Sequence, residues 1–483
     1  MDAEASYGLE NEQQFWEALE NIVSGPSDSH ELIDNALRSY LTLAAAFKQE
    51  YLHSEYDIAR CCYKLLDAKL FQGNHDYIRR QFLYCLLEEE DAGTLHLAAG
   101  VLLFDGRANE AVFEMMQAEN AFPRLVHLIR DKRDDDNGLH RLLLELLFEM
   151  SRIQKLSRED IMTVDDGFIL YLFQLIEELS DDADDPYHYP IIRVLLVLNE
   201  QYMCLANAPS SPGTGAVTNR ILKILSTHGS SYRTFGENLI LLLNREAALS
   251  PQLLILKLLY LLFTTPSTYE FFYTNDLHVL VDVIIRNLLD LDPGVGKHDD
   301  RDGQTALRHT YLRVLCPLLK NTQLAREGSN YKREEVRRLL YLMVNRSTAH
   351  FAPVDETVIR LVIRCKQIEW LREEGDEQDQ EIERKLAEVA PKDSEVAKKL
   401  LGMSLAEAGE SSLSVVEVAA KVTKEKPSVP APRRRKKKVN AVGSNGSFGD
   451  TLKVPPNDLS ASMSSDDARE GDRSPFADDN EEA

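Results

Sequence analysis

The sequence predicts an all-α protein: an armadillo-like helical solenoid of divergent repeats followed by a disordered C-terminal tail. Three observations predict it. Apolar residues recur at three- and four-residue steps from about residue 11 to Trp370, which is a helical face repeated many times. No credible run of alternating apolar and polar residues in that stretch reads as a strand. Leu and Ile are dense up to Trp370 and sparse after it. A clean repeat period is absent, so an irregular helical bundle stays open beside the solenoid. The expected divisions are a flexible N-terminus at 1–10, the leucine-rich helical domain at 11–372, a charged, partly helical linker at 373–425 and a tail at 426–483. The tail is Pro-, Ser-, Gly- and charge-rich, with too little apolar surface to offset the entropy of ordering.

The elements follow in chain order. Leu139, Leu142, Leu143, Leu146, Leu147 and Met150 share one helical face. Ser250 then Pro251 reads as a helix start, a hydroxyl to cap and a proline where no donor is missed. Leu253, Leu254, Leu258, Leu261 and Leu262 cover much of that helix, which is therefore buried on more than one side. A helix from Asp276 to Asp290 turns Leu277, Leu280, Val281, Ile284 and Leu288 inward, with Asp282 and Arg286 spaced as a local salt bridge of small worth. The next, from Thr305 to Lys320, buries Leu307, Tyr311, Val314, Leu315 and Leu318. A third buries Val336, Leu339, Leu340 and Met343, and Asp355 opens a fourth with Val358, Leu361, Val362 and Cys365 inward. Gly and Pro punctuate loops at Ala206–Asn219 and Asp292–Thr305, and Asp181–Pro186 is an acidic break.

On the opposite faces of these helices lie cations. His309, Arg313 and Lys320 fall outside on one helix, Arg333 and Arg337 on the next. Arg313, Lys320, Lys332, Arg333 and Arg337 thus read as a basic ridge, because equivalent outer positions of a solenoid align. Such a ridge on a chain of formal charge −24 would steer and orient an acidic protein partner. Just before it, Tyr269, Phe271, Phe272 and Tyr273 form an aromatic cluster, part core and part candidate interface anchor.

The tail carries a second binding signal. Lys424, Pro427 and Pro430 fit a basic-x-x-Pro-x-x-Pro pattern, and Pro432 and Arg433 add a proline and a cation on the other side. Prolines three apart share one edge of a polyproline helix and fill the aromatic grooves of SH3 domains. The basic run Arg433–Lys438 suits SH3 recognition, anionic lipid or nuclear import alike. Ser474 before Pro475 is a common phosphorylation pair and says little.

Several function classes are excluded. The acidic balance argues against a general nucleic-acid binder. No apolar stretch reaches the ~18–20 residues of a transmembrane segment and the N-terminus does not read as a secretory signal, so the chain is expected to be cytoplasmic. The six cysteines, scattered through apolar helical patterns, read as reduced core residues. With Gly138 at position six of a calcium loop, positions one and twelve are Arg133 and Leu144. For Gly303 they are His298 and His309, so both loops fail. Gly213-Thr-Gly215 lacks the Lys-Ser/Thr of a phosphate loop. With no metal spacing, nucleophile elbow or kinase signature, the chain reads as a non-enzyme without cofactor or metal.

The stretch from Tyr269 to Arg338 carries a resemblance. Its order of words, the Tyr269–Tyr273 aromatics before the helix through Leu277 and Ile284, then Leu307 to Lys320, then the basic Tyr331–Leu340 segment, resembles the leucine-rich domain of the WISH/DIP/SPIN family. That resemblance, continuous in character from about Asn11 to Trp370, implies binding and activation of the actin-related protein 2/3 complex without a preformed filament, seeding linear filaments at cortical actin patches. For the tail it implies, as in fungal low-dye-binding members, a proline-rich ligand of SH3-domain endocytic adaptors. No front SH3 domain of the kind carried by non-fungal relatives is found. The branch-promoting Wiskott–Aldrich mechanism does not fit. The acidic end at Asp478–Glu482 has no Trp near it, since Trp16 and Trp370 lie far upstream, and Pro427, Pro430 and Pro432 interrupt the helix that should precede Lys436–Val439. The competing class is a pure adaptor that recruits SH3 proteins and does not touch nucleation.

Overall fold

Side-chain caps set many of the helix starts. Asn11, Ser29, Ser54, Asp91, Asp136, Ser157, Asn219 and Asp355 each accept a hydrogen bond from a first-turn N–H, which satisfies donors that no earlier carbonyl can reach. The computed structural model describes residues 11–26, 28–133, 136–178, 188–207, 217–291, 298–326, 330–345 and 355–372. The acidic break at Asp181–Pro186 and the expectations for 1–10, 373–425 and 426–483 lie outside them.

Nineteen α-helices are present among the described residues, with no strand. They are α1 (Glu12–Val23), α2 (His30–Ala46), α3 (Lys48–Tyr51), α4 (Glu55–Leu66), α5 (Lys69–Glu88), α6 (Ala92–Ala108) and α7 (Ala111–Ala118). Then come α8 (Ala121–Asp131), α9 (Asn137–Ile153), α10 (Arg158–Thr163), α11 (Asp166–Glu178), α12 (His188–Asn207) and α13 (Arg220–His228). The last are α14 (Arg233–Arg245), α15 (Leu249–Thr264), α16 (Thr274–Asp290), α17 (His298–Asn321), α18 (Arg333–Asn345) and α19 (Glu356–Lys366).

Their packing is a helical solenoid. α6, α9, α12, α15, α17 and α19 form a spine in which each helix packs on the next. A second helix covers each: α5 on α6, α8 on α9, α11 on α12, α14 on α15, α16 on α17 and α18 on α19. The spine helices α6 and α15 touch neighbours on several sides and are apolar nearly all round. In α15, Leu253 to Leu259 and Leu261 to Phe263 are all buried. The predicted inward residues of the Leu139, Asp276, Thr305, Val336 and Asp355 helices are likewise buried, apart from half-buried Leu142.

Two starts differ from expectation. Ser250 does not cap α15, which begins at Leu249 with Ala248 at the cap position. Instead the Glu246 carboxylate accepts the Ala248 N–H (2.9 Å), and the Gln252 side chain reaches the Glu246 carbonyl (2.9 Å). α17 begins at His298, not Thr305, because Gly303 is helical rather than a turn residue. A Cβ at Gly303 would lie 2.7 Å from Leu249 Cδ2, so this glycine lets α17 pass close to the start of α15.

Buried polar contacts tie the spine together. Lys257 of α15 pairs with Glu200 of α12 at 2.8 Å, both nearly solvent-free. Gln201 donates to the carbonyls of Ser151 (2.6 Å) and Gln154 (2.8 Å) and accepts the Leu156 N–H (3.0 Å), tying α12 to the end of α9. Arg79 of α5 clamps Asp105 of α6 through two nitrogens, at 2.6 and 2.9 Å. Asp136, the cap of α9, is bonded by Lys48 of α3 and by His96 of α6 at 3.2 Å. Burial alone would raise the Asp136 carboxyl. The His96 and Lys48 hydrogen bonds, the His96 charge and the Leu139 N–H outweigh it and hold it well below the usual carboxylate range.

Two outcomes follow from these clamps. Lys257→Met, which strips the buried Glu200 of its ammonium, should cost about 3–5 kcal/mol in urea denaturation, whereas Lys257→Met with Glu200→Leu should recover most of it. Asp136→Asn keeps the cap and removes the charge. Because the folded carboxyl is depressed, its contribution is complete above the unfolded value of 3.8 and lost as pH falls below it. The stability gap between wild type and Asp136→Asn should therefore be full at pH 7 and shrink on acidification in parallel melts.

Candidate protein-binding surface

The five cations expected on a ridge lie on α17, in the turn before α18 and on α18, and the structure parts them. Arg337 is 3% exposed and donates to the Leu371 carbonyl, with Glu334 at 3.8 Å. Arg333 donates through Nε to the Trp370 carbonyl (2.8 Å) and through a terminal nitrogen to the Arg372 carbonyl (2.9 Å). The expectation that Arg337 faces outward is overturned, and Arg333 is half-buried, with one terminal nitrogen paired to Glu334 at 2.9 Å. They hold the short 3-10 turn Glu369–Leu371, whose orphan carbonyls need donors after α19 has ended. Trp370 completes the clasp by donating its indole N–H to the Leu319 carbonyl at 3.0 Å.

Lys332 is half-buried and paired with Asp282 (2.9 Å) and Glu335 (3.2 Å), and Asp282 beside it pushes its ammonium above the ordinary value. Its backbone is left-handed (φ 49°), a conformation that disfavours a lysine unless neighbours hold it. Asp282 therefore does not make the expected local bridge with Arg286. It also accepts the Tyr331 hydroxyl (3.1 and 3.2 Å), while Arg286 donates to Asn287. His309 turns toward α19 and pairs with Asp355, the cap of that helix.

Arg313 and Lys320 remain on the α17–α19 side. Arg313 is half-buried; burial first, then the charge of Arg364, pull its guanidinium below the ordinary value. Lys320 and Arg364 are exposed, and among the described residues no carboxylate pairs with either. Both lie near enough to Cys316 to favour a lower value for its thiol. The basic patch is thus Arg313, Lys320 and Arg364, drawn from two helices. Sequence reading missed Arg364, though its position two residues after Val362 and one before Cys365, both inward, marks it as the outer face of α19.

The aromatic cluster divides as its composition suggests. Phe271 and Phe272 are core, in edge contact at 4.9 Å, while Tyr269 is half-buried and Tyr273 is 56% exposed. Arg233 lies over the Tyr273 ring at 4.6 Å. The SH3 residues Lys424, Pro427, Pro430, Pro432 and Arg433 and the run Arg433–Lys438 lie outside the described residues. Among the described residues no group of acidic, His or Cys side chains is arranged to hold a metal, and no helix is long and apolar enough to cross a membrane.

Comparison with known proteins fits this architecture. Residues 184–336 match the family model of the SPIN90/Ldb17 leucine-rich domain. Protein dip1 of Schizosaccharomyces pombe is 30% identical over 372 residues, covering 76% of this chain and 96% of its own. This chain belongs to the SPIN90/Ldb17 family. Protein LDB17 of Saccharomyces cerevisiae is 27% identical over 413 residues, 74% of this chain and 80% of its own. A crystal structure of an engineered protein aligns at 15% identity with a TM-score of 0.32, too distant to inform the fold. The SPIN90/Ldb17 match runs from before α12 into α18. It includes Arg313, Lys320, Lys332 and Arg333 and ends before Arg337 and Arg364.

Arg337→Met removes a buried donor and leaves the Leu371 carbonyl short of its partner. It should lower stability by about 1–3 kcal/mol and speed hydrogen exchange in the 369–372 turn. Lys320→Gln, on the exposed side, should change neither.

Proposed function

We propose that this chain is a non-enzymatic regulator of actin assembly that binds and activates the actin-related protein 2/3 complex without a preformed filament. In this reading it is cytoplasmic and seeds linear filaments at cortical actin patches during endocytosis. The observation that carries the proposal is family membership over the helical region, with alignment to 96% of the length of dip1. The family resemblance implies an activator whose helical domain suffices, and the solenoid fits that role physically. Activation is a population shift: the domain must bind the active arrangement of the complex more tightly than the inactive one. A helical spine that holds exposed Lys320 and Arg364 on packed helices suits such a task, since it fits one spacing of acidic partner groups better than another.

A second reading rests on the tail. The spacing of Lys424, Pro427, Pro430, Pro432 and Arg433 favours capture by SH3-domain endocytic adaptors. Alone, that gives a scaffold without nucleation activity; together with activation it gives a regulator delivered to its site.

Pyrene-actin polymerisation with the full chain, the complex and no seeds separates the readings. The activator shortens the lag; the pure adaptor leaves it unchanged. Lys320→Glu with Arg364→Glu should weaken activation about tenfold, more at low salt, with melting unchanged because both side chains are exposed. Pro427→Ala with Pro430→Ala should abolish SH3 pull-down and leave the lag as in wild type.

A further inference from the structure

Helix α4 carries a stripe of aromatic rings that water reaches. Tyr56 is 74% exposed, more than any other large apolar side chain among the described residues, and Tyr63 is 45% exposed. They stand seven residues apart, so both fall on one side of the helix, with Arg60 between them. Arg60 lies over the Trp16 ring of α1 at 4.0 Å, and Trp16 donates its indole N–H to Glu12 at 2.9 Å. Tyr63 leans on half-buried Phe104 of α6, their ring centres 5.3 Å apart.

Among the described residues neither tyrosine hydroxyl has a hydrogen-bond partner. A single exposed ring is ordinary, but two on one stripe, backed by two further rings, mark a contact surface. The spacing selects the occupant. Seven residues of α-helix rise about 10.5 Å. Prolines three apart on a polyproline helix stand about 9.3 Å apart. Such a helix laid along α4 therefore meets Tyr56 and Tyr63 with successive prolines of one edge. It has no internal hydrogen bonds, so its carbonyls are free to accept from the two hydroxyls. Charge agrees with this occupant. Glu12, Glu20 and Glu55 beside the stripe are each more exposed than the cation they pair with, Arg60, Lys64 and Arg141 in turn. Carboxylate surface is thus left for a basic residue flanking the prolines.

We propose that the Tyr56–Tyr63 stripe of α4 is a docking surface for a proline-rich partner segment in the polyproline II conformation with a basic flank. One proline packs on each tyrosine ring, the hydroxyls donate to carbonyls of the segment, and its Lys or Arg reaches Glu12 or Glu55. Arg60, held over Trp16, keeps the two rings apart at the required spacing. The surface belongs to α1, α4 and α6, outside the matched residues 184–336, and it does not depend on what the cations of α17 and α19 bind.

The test uses the full chain carrying Pro427→Ala, Pro430→Ala and Pro432→Ala, so that an added peptide supplies the prolines. A fluorescein-labelled peptide of one arginine followed by about ten prolines, long enough to hold the polyproline helix, should bind saturably in fluorescence anisotropy. Tyr56→Ala with Tyr63→Ala should weaken binding about tenfold or more. Should the pair disturb folding, Tyr56→Ala alone, at the more exposed position, should still weaken it about threefold with melting unchanged. Glutamate in place of the peptide's arginine should weaken binding about threefold, more at low salt. Tyr273→Ala, at an exposed tyrosine of another helix, should leave binding as it was. Absence of binding would overturn the proposal, as would equal binding of an arginine-led Gly–Ser peptide, tighter binding of the glutamate peptide, or binding unchanged by the tyrosine substitutions.

Discussion

The structure depends on buried polar groups that lock the register of helices otherwise faced with leucine. A spine helix such as α15 presents apolar surface in nearly every direction, and leucine against leucine specifies little about sliding or rotation. Lys257 against Glu200 specifies a great deal. A one-turn slip of α15 along α12 would strand both charges in a medium that cannot solvate them. Gln201, Asp105 with Arg79, and Asp136 with His96 and Lys48 perform the same task at earlier seams. Each is worth little as net stabilisation and much as discrimination against wrong packings.

The same logic explains which surface cations stay outside. Charges near a seam are drawn into it when carbonyls or carboxylates there lack partners. Arg333 and Arg337 are consumed by the carbonyls that follow α19, and Lys332 by Asp282 of α16. Arg364, projecting from the outer side of α19, meets no such demand. What faces solvent here, instead of a long ridge, is Lys320 and Arg364, with half-buried Arg313 beside them. On a chain of formal charge −24 that group is a local reversal of sign, a feature that orients an encounter more than it tightens the complex.

The α17–α19 seam joins these themes. It holds the exposed cations Lys320 and Arg364 and the clasp of Trp370 on Leu319.

By itself the sequence determined the helices, their inward faces and the family. These are local properties: a three- and four-residue apolar rhythm fixes which side of Leu277–Leu288 or Val358–Cys365 is buried whatever it packs against. Tertiary structure decided the fate of every long polar side chain. Arg337 occupies a position that helical periodicity puts outside, yet it is buried because residues 369–371 fold back over it, more than thirty positions away. Gly303, a turn residue by composition, is helical, and its missing Cβ leaves the space that Leu249 fills. Periodicity sees one helix at a time, and whether an outer face meets water or another segment is a property of the whole chain.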